Sequence, residues 1–245
     1  ARIEEIPNTF FENLPDHDEF GYELLPDWFQ GAYGNLIARG LYAKAERLFN
    51  AIKATDQENE IRQGYTRVLM VEEHCSNVDS ILYYCDDYGE ELRESIKEFF
   101  DELYKCLDKP WFKRFTRTNV IDYLREFKSL NSVFICPICG NEIIKSNPYE
   151  ARASLDHWQC KSKYQLSSVY WQNLVPMGEG CNKAPVKGAN EVFWTNNDRT
   201  LRQTFFYPYT WNGEINIGFN CRSEPNEDDL IGDWEFSFIG QSQEH

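Results

Sequence analysis

No apolar run in the 245 residues approaches the roughly 20 needed to cross a bilayer. The N-terminal stretch ARIEEIPNTFFENLP is acidic and lacks a basic segment followed by an apolar one, so a secretory leader is not expected. The cytosol is the expected compartment, with no membrane partner. Internal repeats and low-complexity tracts are also missing, which excludes solenoid and array architectures. Positive charge is scarce: 25 Lys and Arg stand against 40 Asp and Glu, for a formal net charge of −15. Such a balance opposes non-specific attraction to phosphate backbones. No helix-turn-helix or other sequence-reading motif is visible, so base-specific recognition is not expected from this chain alone.

What is present is the material of a folded protein. Hydrophobic residues make up 42% of the chain and aromatics 16%, enough for one large domain or two modest ones. The charge is unevenly spread. Residues 1–130 hold 26 acids against 16 bases, residues 131–190 hold 4 against 6, and residues 191–245 hold 10 against 3. The middle segment is therefore the net-basic stretch, and its flanks are acidic.

The first region reads as helical. Leu41, Ala45, Leu48, Phe49 and Ile52 recur at helical spacing, as do Leu92, Ile96, Phe99, Phe100, Leu103 and Leu107, a stripe ended by Asp108-Lys109-Pro110. A less regular helical pattern runs from Val68 to Cys85, with Val78, Ile81, Leu82 and Cys85 on one side. A further helix is expected to start with Thr118 as N-cap and to carry Ile121, Leu124 and Phe127. Near Leu130 the character changes. Val133-Phe134-Ile135, Ile143-Ile144 and Ala153-Ser154-Leu155 read as short strands. Farther on, Ile215, Ile217, Phe219 and Cys221 alternate, as do Trp234, Phe236 and Phe238, and Asn212-Gly213 is a hairpin signal. The expected class is α+β: a helical region over 1–130, a small ββα core over 131–190, and a β-rich extension over 191–245 packed on that core.

Of the eight cysteines, only Cys136 and Cys139 form a CxxC pair. Cys75, Cys85, Cys106 and Cys221 fall on apolar phases and read as small buried hydrophobes. In Cys136-Pro-Ile-Cys139-Gly140, two thiolates three residues apart can clasp one tetrahedral ion while the glycine lets the backbone turn around the sulfurs. A redox pair would need a βαβ context that this chain lacks.

The string CPICG … LDHWQCKSKY … YWQNLVPMGEGCNKAPVKG resembles the signature of HNH nucleases in their zinc-supported form. The likeness covers about 50 residues and has several independent anchors in order. It implies a ββα-metal core, from about Cys136 to Gly188, that hydrolyses phosphodiester bonds. His157 matches the general base, a group whose unperturbed pKa of about 6.5 suits it to take a proton from water. Asp156 and Asn182 match two oxygen ligands for a catalytic Mg²⁺ or Mn²⁺. Asn173 matches a bracing asparagine whose side chain bonds backbone groups. Lys161, Lys163, Lys183 and Lys187 could grip phosphates, Lys183 foremost, although each alone reads as an ordinary surface lysine. Trp158, Tyr164, Tyr170 and Trp171 read as core aromatics rather than base-stacking platforms. Adjacent strand residues face opposite sides, so Asp156 and His157 can share a site only where the strand ends or bends.

Two departures from that pattern matter. The zinc-bound form places a cysteine where Gly178 stands, which leaves Cys136, Cys139 and Cys181 as three ligands for structural Zn²⁺. Cys160 is the first candidate for the fourth; a water, His74, or no zinc at all are the alternatives. Pro185 falls within the expected short helix, which is expected to open near Asn182. The leading expectation is a DNA-cutting enzyme whose acidic helical region docks a protein partner, since HNH proteins of bacterial anti-phage systems, held by an ATPase in Septu-type pairs and related retron modules, look similar. An RNA-cleaving (tRNA-cleaving) enzyme and a non-catalytic zinc-knuckle module that binds nucleic acid or protein are the competing readings.

Overall fold

The apolar stripes become buried helix faces in the computed structural model, which describes residues 3–32, 36–107, 109–116, 119–130, 135–136, 139, 142–144, 155–183, 190–195, 198–204, 207, 209, 214–223 and 233–241. In chain order the helices of the N-terminal region are α1 (Glu5–Asn13), α2 (Asp27–Ala32), α3 (Leu36–Lys53), α4 (Glu58–Val68), α5 (Val71–Ser76), α6 (Glu90–Cys106), α7 (Pro110–Thr116) and α8 (Val120–Leu130). Helix α3 turns Leu41, Ala45, Leu48, Phe49 and Ile52 inward, and α6 meets it with Leu92, Ile96, Phe99, Phe100 and Leu103. Each large side chain so buried contributes about 1.5–3 kcal/mol relative to exposure. Ion pairs flank the seam, with Lys44 at 2.9 Å from Glu102 and Arg47 at 2.8 Å from Glu98. Pro110 opens α7, where its missing N–H costs no helical bond.

Two local expectations are corrected here. The pattern from Val68 to Cys85 does not make one helix. Helix α4 ends at Val68, α5 stops at Ser76, and Asn77 turns the chain by accepting the Asp79 N–H on its side-chain oxygen at 2.9 Å. That local bond competes with helix propagation. It leaves Val78 and Ile81 exposed while Cys85 is buried. The cap of α8 is Asn119, whose Oδ1 accepts the Asp122 N–H at 2.9 Å. Thr118, the expected cap, lies outside the described residues, as do Asp108, Val133, Phe134, Ala153, Ser154, Pro185, Lys187 and the Asn212-Gly213 pair.

The chain is α+β. Strands β1 (Leu155–His157) and β2 (Leu174–Pro176) pair antiparallel, with Leu155 opposite Pro176, Asp156 opposite Val175 and His157 opposite Leu174. The four-residue helix α9 (Glu179–Asn182) follows β2 directly. Ile135 and Ile143 form an isolated antiparallel bridge, and the Cys136 N–H donates to the Glu142 carbonyl at 2.7 Å, so this segment folds back on itself around Cys139. The helices and the β1–β2 segment share a hydrophobic core, to which Leu155, Leu166, Val169, Trp171 and Leu174 contribute. Residues Ala1–Phe206 form one compact unit and Tyr207–His245 a second.

Within the second unit, β3 (Glu214–Ser223) and β4 (Asp233–Gln241) make an antiparallel pair that sets Ile217 opposite Phe238 and Phe219 opposite Phe236. These are the two alternating runs read as strands. Arg222 and Glu235, both exposed, form an ion pair across them at 2.6 Å. The Cys221 side chain lies outside the described residues. No helix among the described residues is long and apolar enough to cross a membrane.

Candidate metal centre and histidine site

The β1–β2 ribbon is only three residue pairs long, so its two ends lie close together and still carry different chemistry. Because the strands run antiparallel, the residues after Pro176 return to the Leu155 end, whereas the residues after His157 leave from the Leu174 end.

At the Leu155 end, the sulfurs of Cys136, Cys139 and Cys181 lie within 4.8 Å of one another. Cys136 and Cys181 are buried and Cys139 is exposed. Burial, and then the neighbouring thiols of Cys139 and Cys136, push the Cys181 pKa above its ordinary value. Three thiolates this close repel one another unless a cation sits among them, and a divalent soft ion reverses the shift by taking the deprotonated sulfurs as ligands. The donor set fits zinc.

Cys160 does not join them. It follows β1 and starts a turn in which its carbonyl accepts the Lys163 and Tyr164 N–H groups, both at 3.0 Å. That places it beyond the His157 end of the ribbon, while Cys181 sits beyond the Pro176 end. The antiparallel pairing itself separates them, so the expectation of Cys160 as fourth ligand is corrected. His74 is no substitute: its Nε2 lies 2.8 Å from the Arg67 carbonyl and its Nδ1 3.0 Å from Ser80 Oγ.

Asn182 is the last residue of α9 rather than the residue that opens it, a second correction. The helix starts three residues earlier because Gly178 is extended (φ −64°, ψ 148°) and the Glu142 carboxylate accepts the Gly180 N–H at 2.9 Å. From the helix end, Asn182 Nδ2 lies 3.5 Å from the Leu155 carbonyl, next in chain to the buried Asp156. A carboxylate and a side-chain amide offer hard oxygen, the chemistry of Mg²⁺ and Mn²⁺.

At the other end, β1 stops at His157 and the chain bends at Trp158. His157 is buried, and its Nε2 lies 2.9 Å from the Ser168 carbonyl. A carbonyl oxygen only accepts, so Nε2 carries a proton, and in the neutral ring the basic lone pair is on Nδ1. The Tyr104 ring from α6 packs 4.8 Å from the imidazole. Asn173 holds the intervening loop. Its Oδ1 accepts the Gln159 N–H at 2.6 Å, and its Nδ2 donates to the Gln159 carbonyl, the Ser167 carbonyl and Ser167 Oγ at 3.1–3.2 Å. The Trp158 N–H donates to the Asn173 carbonyl at 2.8 Å. These bonds fix the loop that presents Ser168 to His157.

The three described lysines expected near phosphate all hold acidic partners: Lys161 with Asp101 at 3.0 Å, Lys163 with Asp86 at 2.8 Å, and Lys183 with Glu179. Trp158, Tyr164 and Trp171 are buried, as expected of core aromatics; Tyr170 is half-buried and bonds Gln172. Cys75, Cys85 and Cys106 are buried too. Burial pushes the Cys75 thiol up to about 12 and the Cys85 thiol up to about 11, so both are inert at neutral pH. Sequence reasoning missed Ser168, Tyr104 and Glu142. Tyr104 and Ser168 carry no local signal, since their roles arise from packing. Glu142, an acid three residues after Cys139, was the one that the sequence could have flagged.

No family model matches this chain, and neither any curated protein nor any solved structure is detectably similar to it.

Proposed function

We propose that the chain is a metal-dependent endonuclease of the HNH type, hydrolysing phosphodiester bonds of DNA with His157 as general base. The observation that carries this reading is the Nε2 bond of His157 to the Ser168 carbonyl at the end of β1. It fixes the tautomer in which Nδ1 is the base, in a residue whose chain neighbour is the buried Asp156. The order β1–β2–α9 and the bracing side chain of Asn173 support the same reading.

In this mechanism Nδ1 of His157 takes a proton from the attacking water, and the Ser168 carbonyl steadies the imidazolium that forms. Asp156 and Asn182 would hold Mg²⁺ or Mn²⁺, which when bound supplies Lewis acidity to the scissile phosphate and neutralises charge on the leaving 3′ oxygen. Cys136, Cys139 and Cys181 would hold a structural zinc that ties α9 to the segment before β1. Lys161, Lys163 and Lys183 contact phosphates once released from their acidic partners.

Residues 1–130 carry 26 acids and 16 bases, and that acidic surface suits docking to a protein rather than to nucleic acid. The partner in this reading is an ATPase of a bacterial anti-phage complex, with the chain as its nuclease effector in the cytoplasm. Co-purification with an ATPase encoded beside it is the expected result, and failure to bind removes the partner from the reading.

Cleavage of supercoiled plasmid with Mg²⁺ or Mn²⁺, with and without that ATPase, tests the chemistry. Nicking or linearisation should fall about 10²–10⁴-fold in His157→Ala. Equal cleavage by both proteins rejects His157 as the base. Cleavage of RNA but not DNA changes the substrate class, and no cleavage of either leaves the zinc-knuckle binding module.

A further inference from the structure

We propose that Glu142 supplies the fourth ligand of the cysteine centre, making it a three-thiolate, one-carboxylate zinc site; this rests on the zinc reading of Cys136, Cys139 and Cys181. A closed structural zinc site needs four donors, and three sulfurs lie within 4.8 Å of one another. The spacing of Cys136 and Cys139 recurs at Gly178 and Cys181, with glycine where a thiol would complete a second pair. What fills that place is Glu142. A Cβ placed on Gly178 would lie 2.3 Å from Glu142 Oε2 and 2.6 Å from its carboxyl carbon. The carboxylate thus stands where a Cβ at position 178 would be, just outside the group that the three sulfurs form, and a turn of its side chain brings an oxygen to them.

Its anchoring points the same way. The Glu142 carbonyl accepts the Cys136 N–H at 2.7 Å, and the bridge between Ile135 and Ile143 brackets both residues. Its carboxylate accepts the Gly180 N–H, at 2.9 Å to Oε2 and 3.3 Å to Oε1, directly before Cys181 in the chain. Glu142 therefore joins the segment that bears Cys136 to the helix that bears Cys181. One oxygen can stay on the Gly180 N–H while the other turns to the ion, the arrangement in which a ligand carboxylate is itself oriented by a hydrogen bond.

The test is metal binding by the full chain, read without any assay of cleavage. Zinc affinity is measured by chelator competition, and the coordination sphere is read from the visible absorption of the Co²⁺-substituted protein. Glu142→Gln keeps an amide oxygen for the Gly180 N–H and removes the charged ligand. It should weaken zinc roughly 10–100-fold or more and alter the Co²⁺ spectrum, since even outer partners of metal ligands cost that much. Glu142→Ala combined with Gly178→Cys should restore tight binding with the stronger sulfur charge-transfer bands of four thiolates. Position 178 is extended and accepts a cysteine once the carboxylate is gone. If Cys181→Ser abolishes binding while Glu142→Gln leaves affinity and spectrum unchanged, the Glu142 assignment falls and the zinc centre stands. If the unaltered chain binds neither Zn²⁺ nor Co²⁺, the zinc reading falls, and Glu142 with it.

Discussion

The two ends of the β1–β2 ribbon use opposite means to hold polar groups in a protein interior. At the Leu155 end, three sulfur atoms converge within 4.8 Å, an arrangement able to hold a cation. At the Leu174 end, His157 and Asn173 bond to backbone carbonyls, one amide N–H group and a serine hydroxyl. One end offers three sulfur ligands that could hold an ion, and the other is completed by the chain itself. Buried polar groups are tolerated only when partnered, and three residue pairs of strand separate the two solutions.

Breaking the cysteine end should have the larger effect on stability. Cys181→Ser, or removal of metal by a strong chelator, should lower the melting temperature by roughly 10 °C, as expected for loss of a ligand bound about a thousandfold above its Kd. Zinc analysis and calorimetry check this, and an unchanged melting temperature would mean that no structural ion is held there.

Asn173→Ala should cost about 3 kcal/mol, because it removes four hydrogen bonds and orphans buried backbone groups. Unlike the cysteine variant it should leave zinc content intact. Denaturant unfolding measures the first quantity and metal analysis the second.

A smaller, pH-dependent effect belongs to His74. Burial, with Arg202 nearby, holds its pKa below the ordinary 6.5, although its bond to the Arg67 carbonyl acts the other way. The unfolded chain therefore binds the extra proton more readily than the folded one. This contribution to stability is present above pH 6.5 and is lost as the pH falls below it. His74→Gln should flatten that slope in melts recorded from neutral to acidic pH.

The smallest effect is expected at the lysines. Asp101→Asn and Asp86→Asn release Lys161 and Lys163 from half-exposed pairs worth only about 0.2–1 kcal/mol. Nucleic-acid affinity should rise severalfold at low salt and return toward the starting value at high salt, as a filter-binding or polarisation titration would show.

How much of this was legible depends on the range of the interactions involved. Helices α3 and α6 were readable because their stripes repeat over several turns and the core needs one apolar face from each. The three-residue strands β1 and β2 carry too little periodicity to be read alone: of β1 only Leu155 falls in a run read as a strand, and Leu174–Pro176 falls in none. The break after Ser76 was hidden because a side-chain bond from Asn77 overrides the apolar spacing that continues to Cys85. The end of β1 at His157 also lies outside what alternation can show.

The sequence by itself determined which groups are available: a CxxC pair with a third cysteine near Asn182, a histidine beside an aspartate, and helical stripes to support them. Only the tertiary structure decided which of them meet. Antiparallel pairing carried Cys181 back toward Cys136 and Cys139 and sent Cys160 to the far end. Packing of α6 set Tyr104 against His157, and a glycine at 178 left room for Glu142. Residue identity sets the chemistry that a side chain can perform, but distance in space depends on pairing direction and packing, which no local stretch of sequence encodes.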